Sequence, residues 1–438
     1  MAEYKKKKIK RSKKAPKNTY VEEIKMKPSK KKTVSNKKTQ ISTEKETPKK
    51  KKKPTSVKQS KINVIRGNKP LKRKRNAKIV AVIFLIVAFF ALISILLPTG
   101  IIDAVSNSFA LIGKGDGYDV KLGGNTLSNV VDMGNSYITV TTTDIRGYNH
   151  TGKSIFTYLH GYDIPIVKAS ASRFMLYGQG ENQYGIYNLS NKLFEGEAAN
   201  EILAGYISRS GTFAIATLSD SYTSEVSVYN KNNEIIYTWY CADYIINDVL
   251  LDNDGDTLVL SAFNAVNGKF VSKIYVIKFN SATPIRIFDY NDLILSLSSK
   301  NSACFSAIFE KNVEYFNWRN FALQSYSFEN NVSYFDSTAN HNVLVTARNA
   351  NKGDNTITVF NGRGKQKHQF SFDTEILDIS VRGRYIYILS NNEVSIYNYQ
   401  GVRIKSCPTK FGANYVVSIG NLKAAVFSDN YIKRVVAQ

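Results

Sequence analysis

The chain has 438 residues, with 60 Lys and Arg against 35 Asp and Glu, for a formal net charge of +25. Residues 1–78 hold 31 of the basic residues and five of the acids, so 79–438 is close to neutral and the basic balance belongs to a tail. Three cysteines exclude a fully paired disulfide framework, four dispersed histidines exclude a His-based ligand set, and a neutral body argues against nucleic acid as the ligand of anything after the tail.

The tail, 1–77, reads MAEYKKKKIKRSKKAPKN, then PKKKKKPTS and KPLKRKRN. It has no apolar period and too little apolar surface to offset its chain entropy, so disorder is expected. Ile79 to Leu97, IVAVIFLIVAFFALISILL, is apolar but for one Ser. As a helix it would span about 28 Å, close to the hydrocarbon core of a bilayer. It is too long, and too far from the N-terminus, for a cleaved signal peptide. A single transmembrane helix is therefore expected over 78–98. The cluster Lys72, Arg73, Lys74, Arg75 and Lys78 places the tail in the cytoplasm and the remainder outside the cell. A stalk, 99–117, and an extracellular domain, 118–438, follow. An exported domain with so few cysteines fits a Gram-positive surface.

The domain repeats one hairpin. IRGYNHTG (145–152), YGIYNLSN (184–191), VSVYNKNN (226–233), VIKFNSAT (276–283), VEYFNWRN (313–320), ITVFNGRG (357–364) and VSIYNYQG (394–401) share a frame. It is an extended run ending in an aromatic, then Asn, two free positions, and Gly or Asn. The Asn side chain can bond the backbone two residues on, and the last position supplies left-handed backbone. The fourth copy departs, with Lys278 at the apolar position and Thr283 at the end. The spacing near 40 residues is that of four-stranded propeller blades. Nearly continuous apolar runs, such as SYITVTT (136–142), TFAIATL (212–218) and LKAAVFS (422–428), mark the second strand of each unit. The eighth unit stops after three strands, and YDVKL (118–122) is available to complete it. The expected fold is all-β: an eight-bladed propeller closed by its N-terminal strand, with seven blades as the alternative.

The WD dipeptide and kelch-like diglycine repeats are absent, and two tryptophans are too few for a quinoprotein propeller. The layout of basic tail, one span, short stalk and Asn-turn blades resembles a set of membrane-anchored propeller proteins of unknown function from clostridia and related Gram-positive bacteria. That resemblance covers essentially the whole chain. It implies the fold and a membrane location, and no activity.

Candidates for chemistry are few. Asp252, Asp254 and Asp256 have the oxygen density of a calcium loop but lack the sixth-position Gly and distal Glu of an EF-hand. They fall where other units turn, so a β-turn is the plain reading and calcium the alternative; no other cofactor is expected. The connections from second to third strand vary most, at 219–225, 264–270 and 349–355. If one rim binds a ligand, the residues to examine are Tyr222, Asn267, Lys269, Asn351, Lys352 and Asp354. The sequence points to a non-enzymatic scaffold or sensor that binds another envelope protein or glycan, with anionic lipid as a partner of the tail. The alternative is a glycan-acting hydrolase or lyase with acids gathered at the channel mouth.

Overall fold

The computed structural model of the chain describes residues 71–96, 101–300, 303–348, 353–409 and 412–436. The polybasic tail through residue 70, of which disorder is expected, lies outside these residues. Helix α1 (Leu71–Leu96) takes in most of the apolar run, and every large apolar side chain described from Ile79 to Leu92 is exposed. Among the described residues no helix is long and apolar enough to cross a membrane. The described side chains of α1 cover only part of the run. Helix α2 (Ile101–Leu111) lies inside the expected stalk.

The remaining strands form eight four-stranded antiparallel sheets. Seven are consecutive up-down units, at 127–159, 165–197, 202–241, 245–290, 294–327, 331–372 and 378–408. The eighth joins three C-terminal strands, 415–436, to β1 (Val120–Lys121). These are blades 1 to 8. Eight blades replace the seven-bladed alternative, and the ring closes as the sequence suggests: Val120 pairs with Ile432 and Lys121 with Tyr431. The Asp119 amide donates to the Ile432 carbonyl at 3.2 Å and the Leu122 amide to that of Asn430 at 2.9 Å.

The burial pattern explains why one blade cannot stand alone. Second strands are buried on both faces, completely so at Ser136–Thr141, Phe174–Gly178 and Cys304–Phe309. All eight apolar clusters join residues of two adjacent blades. The core is thus a ring of seams, and each blade supplies half of two of them. Cys241, Cys304 and Cys407 are buried thiols, outside any disulfide, on blades 3, 5 and 7, and burial raises the pKa of each.

The repeated Asn closes the turn from third to fourth strand. The Oδ1 of Asn149, Asn230, Asn361 and Asn398 accepts from the amides two and four residues on. Asn188 and Asn317 accept from the amides two and three residues on. In the departing fourth copy the Ser281 amide donates to Lys278, and the Ser281 hydroxyl to the Thr283 carbonyl. The left-handed position is filled by Gly152, Asn233, Gly364 and Gly401, but neither by Asn191 nor by Asn320, and Phe321 takes it in the fifth copy.

Gly364 has a second duty. A Cβ there would lie 2.3 Å from Tyr315 Cβ on the neighbouring blade, at a φ of +79°. Gly364→Ala should therefore cost about 1–3 kcal/mol, through backbone strain and an opened seam. The expected reading is a lower denaturant midpoint with an unchanged slope; an unchanged midpoint would show that the seam yields freely there.

Candidate functional site

Up-down strands place the first-to-second and third-to-fourth turns on one face of the ring. The second-to-third and inter-blade connections lie on the other. The charges are sorted between these faces. Turns on the first carry Lys153, Arg173, Arg209, Lys231, Lys300, Arg319, Arg363, Lys365 and Arg384. Its turn acids are Glu234 and the three aspartates of blade 4, Asp252, Asp254 and Asp256. On the second face, the described connections carry Asp163, Glu181, Glu201, Asp220, Asp243, Asp292, Glu310, Glu329, Asp354, Asp373, Glu375 and Asp429. Their cations are Lys311 and Arg348. A nearly neutral ring is therefore basic on one side and acidic on the other, a field that orients it against charged surfaces.

Within the acidic rim, blades 3 and 4 stand out. Tyr222 is exposed and packs on Tyr240 with ring centroids 4.9 Å apart. The stretch 264–270, expected as a loop, is mostly strand. The second and third strands of blade 4 run Thr257–Val266 and Lys269–Lys278, paired in register to their tips. Asn267 and Gly268, both at positive φ, make the two-residue turn that lets this hairpin stay paired to its end. Val266 and Phe270 are exposed on it, and Phe270 meets Phe263 edge-on. Along the outer seam of blades 3 and 4, an open groove of about 550 Å³ runs from Tyr222 and Tyr240 at this rim, past Tyr237 and Trp239, to Phe279 at the third-to-fourth turn of blade 4 on the other face. Tyr222, Asn267 and Lys269 thus share adjacent blades. Asp354 is exposed on blade 6, two blades further round, and Asn351 and Lys352 lie outside the described residues.

Asp252, Asp254 and Asp256 sit on the opposite face. Asp252 Oδ1 accepts from the amides of Gly255, Asp256 and Thr257 at 2.8, 3.0 and 3.3 Å, and Asp256 accepts from the Thr257 hydroxyl. Burial raises the pKa of Asp252, while the Thr257 hydrogen bond lowers that of Asp256. The cluster builds a turn, and among the described residues no group of three His, Cys, Asp or Glu is arranged to hold a metal. The neighbouring Asn253 lines the channel mouth, a cavity of about 450 Å³ that also carries Asp132, Arg209, Lys300 and Arg382.

Sequence reading missed the acids of the channel wall. Asp248, Asp336 and Asp378 lie on first strands and each reaches the inner strand of the next blade. They accept from the amides of Leu297, Val381 and Val416 at 2.8, 2.7 and 2.8 Å. The other oxygen of each accepts from the amide of the following residue. They fasten blades rather than face a substrate. Burial pushes Asp378 to about 7, against the pull of its two amides. A single acid on each of these first strands was the available signal.

Three of the dispersed histidines are packed against the ring, and His368 is exposed. His341 stacks on Tyr399 at 3.8 Å, and burial lowers the pKa of His150 to about 4.

Helix α2 docks on the basic face, against the turns of blades 1 and 2. Asp103 accepts from Arg173 Nε at 2.7 Å and from Asn188 Nδ2 at 3.2 Å. The Asn107 side chain donates to the Ser172 carbonyl and accepts from the Leu189 amide. Asn149 Nδ2 donates to the carbonyls of Leu111 and Gly113. Two of the repeated turn asparagines therefore hold the helix as well as their turns.

Residues 117–436 match the model described as "Family of unknown function (DUF5711)". Among solved structures the chain is similar to the C-terminal WD40 domain of Sif2, with a TM-score of 0.53, 11% identity, and coverage of 75% of this chain and 99% of that one. BamB from Moraxella catarrhalis gives 0.48 and 12%, covering 73% and 98%. Apo AztD from Citrobacter koseri gives 0.49 and 10%, covering 70% and 90%. At such identities the likeness concerns the fold alone. No curated protein matches the sequence.

Proposed function

For a chain that belongs to the DUF5711 family, a family of unknown function, we propose the role of a membrane-anchored, extracellular propeller that binds another component of the cell envelope and is not an enzyme. One observation carries the binding role. Among the described residues, nine large apolar side chains are exposed on blades 3 and 4: Leu218, Tyr222, Ile235, Ile236, Tyr240, Val266, Phe270, Ile285 and Ile287. Blades 5 to 8 together expose six. Aromatic and branched side chains grouped beside a groove are what a partner desolvates, and aromatics dominate such contacts. Asp220, Asp243 and Asp292 on the connections of these blades favour a partner with basic groups at its edge.

The apolar run in α1 and the cations before it support a single span with a cytoplasmic N-terminus. The scarcity of cysteine supports a Gram-positive surface, and the polybasic tail an attraction to anionic lipid of the inner leaflet. The hydrolase or lyase alternative draws on Asp378, but both oxygens of that acid are committed to backbone amides.

The test is photo-crosslinking of the full chain in its native membrane, from positions 222, 270 and 159. Leu159 is exposed on blade 1, away from the groove. Positions 222 and 270 should yield the same adduct and 159 none, and Phe270→Asp should abolish the adduct from 222. Equal yields from all three positions, or none from any, would remove the reading.

A further inference from the structure

Helix α2 is inside out for a helix bathed in water. Its ring-facing side presents Asp103 and Asn107, both buried in hydrogen bonds to turns of blade 2. Its outer side presents Ile102, Val105, Phe109 and Ile112, all exposed, with Phe109 at 70%. Three to four residues apart, these four form one stripe along the helix and its last turn. Exposed stripes of this kind are covered by something. The sequence says what is near. The apolar run ends at Leu97, and only Pro98, Thr99 and Gly100 separate it from α2. At full extension those residues reach about 10 Å. Between Lys78 and Asp103 there is no charged residue, and Asp103 is turned into the ring against Arg173. A second, independent observation is the sorted charge of the ring: α2 docks on the basic face, the side that an anionic surface attracts.

We infer that α2 lies in the headgroup region of the bilayer and holds the basic face of the ring toward it. The inference rests on the proposed anchor and adds an orientation to it. An interfacial helix buries its apolar side about 5–10 Å into the boundary between headgroups and chains. The docked polar side then ties the ring to that depth through Asp103, Asn107, Asn149 and Asn188. The acidic rim, with the exposed aromatics of blades 3 and 4, points away from the membrane, where an envelope partner can reach it. The channel mouth, with Arg209, Lys300 and Arg382, faces the lipid.

The test places single cysteines in the full chain at Phe84, Phe109, Ile112 and Asn267, each carrying a fluorescent label. The native cysteines are buried. The protein is reconstituted in vesicles of phosphatidylcholine and phosphatidylglycerol. Quenching is read with spin-labelled lipid and with aqueous iodide. The expected result is strong lipid quenching at 84, 109 and 112, with iodide access at 109 and 112 several-fold below that at 267. If 84 is lipid-quenched while 109 and 112 meet iodide as freely as 267, the anchor stands and the interfacial helix is wrong. If 109 and 112 escape both quenchers, protein covers the stripe and the inference fails. If 84 itself is open to iodide, the anchor reading falls and this inference with it. Lipid quenching at 267 would overturn the orientation.

Discussion

Leu122→Asp is expected to destabilise the ring by about 3–5 kcal/mol, since the new carboxylate would have no partner where it is buried. Leu122 is fully buried, in the seam that holds Leu127, Tyr137, Phe427 and Ile432. Tyr137 meets Phe427 edge-on at 5.0 Å across that seam. The closing strand pairs only Val120 and Lys121, with two flanking amide bonds, so few backbone contacts can compensate for the lost side chain. Val120 is half-buried in the same cluster, and Val120→Asp should cost less, about 1 kcal/mol. Chains beginning at residue 114 and at residue 124 make the companion test. Both lack α2, but only the second lacks β1 and Leu122, and it should melt well below the first. Equal melting temperatures would show that the eighth blade is stable with three strands. They would also show that the edge left open there carries no penalty.

Asp103→Ala should release α2 while leaving the ring folded. Arg173 has a side-chain exposure of 11%, and Asp103 is its carboxylate partner. Breaking such a pair from one side costs about 3–5 kcal/mol if the remaining charge stays buried. Here the helix can lift and let water reach the guanidinium, so the cost appears as undocking rather than as global unfolding. The expected outcome is fast cleavage within 98–113 by added protease, with nearly unchanged melting of the ring. Arg173→Ala should release α2 and also lower the melting temperature of the ring, because its Nη1 donates to the Lys231 carbonyl of blade 3 at 2.8 Å. A helix that stays protected in Asp103→Ala would show that Asn107 and Asn149 suffice to hold it.

Much of this molecule is legible along the chain because a propeller is local. Each hairpin is encoded within some 40 residues, and the Asn that shapes its turn bonds amides two to four positions away. The number of units and the missing fourth strand can therefore be counted, and YDVKL, at the other end of the domain, is available to supply that strand. Tertiary structure decided what depends on which blades are adjacent and which ends of strands share a face. The sequence cannot sum charge by face, because the basic turns and acidic connections alternate every few residues and average to neutrality. Only the up-down path sorts them to opposite sides. Residues 99–117 read as a stalk because Asp103, Ser106 and Asn107 look solvated; their partners, at Arg173, Ser172, Asn188 and Ser190, lie 65 or more residues away. The hairpin of blade 4 reads as a loop because Asn264, Asn267 and Gly268 signal turns equally well, and only the paired register shows that two of them make the turn while the third continues a strand. What the sequence determined is the repeat, since its physics is short-ranged. What the fold alone decided is polarity, burial of polar groups and the docking of α2, since those arise from contacts between segments that the chain keeps far apart.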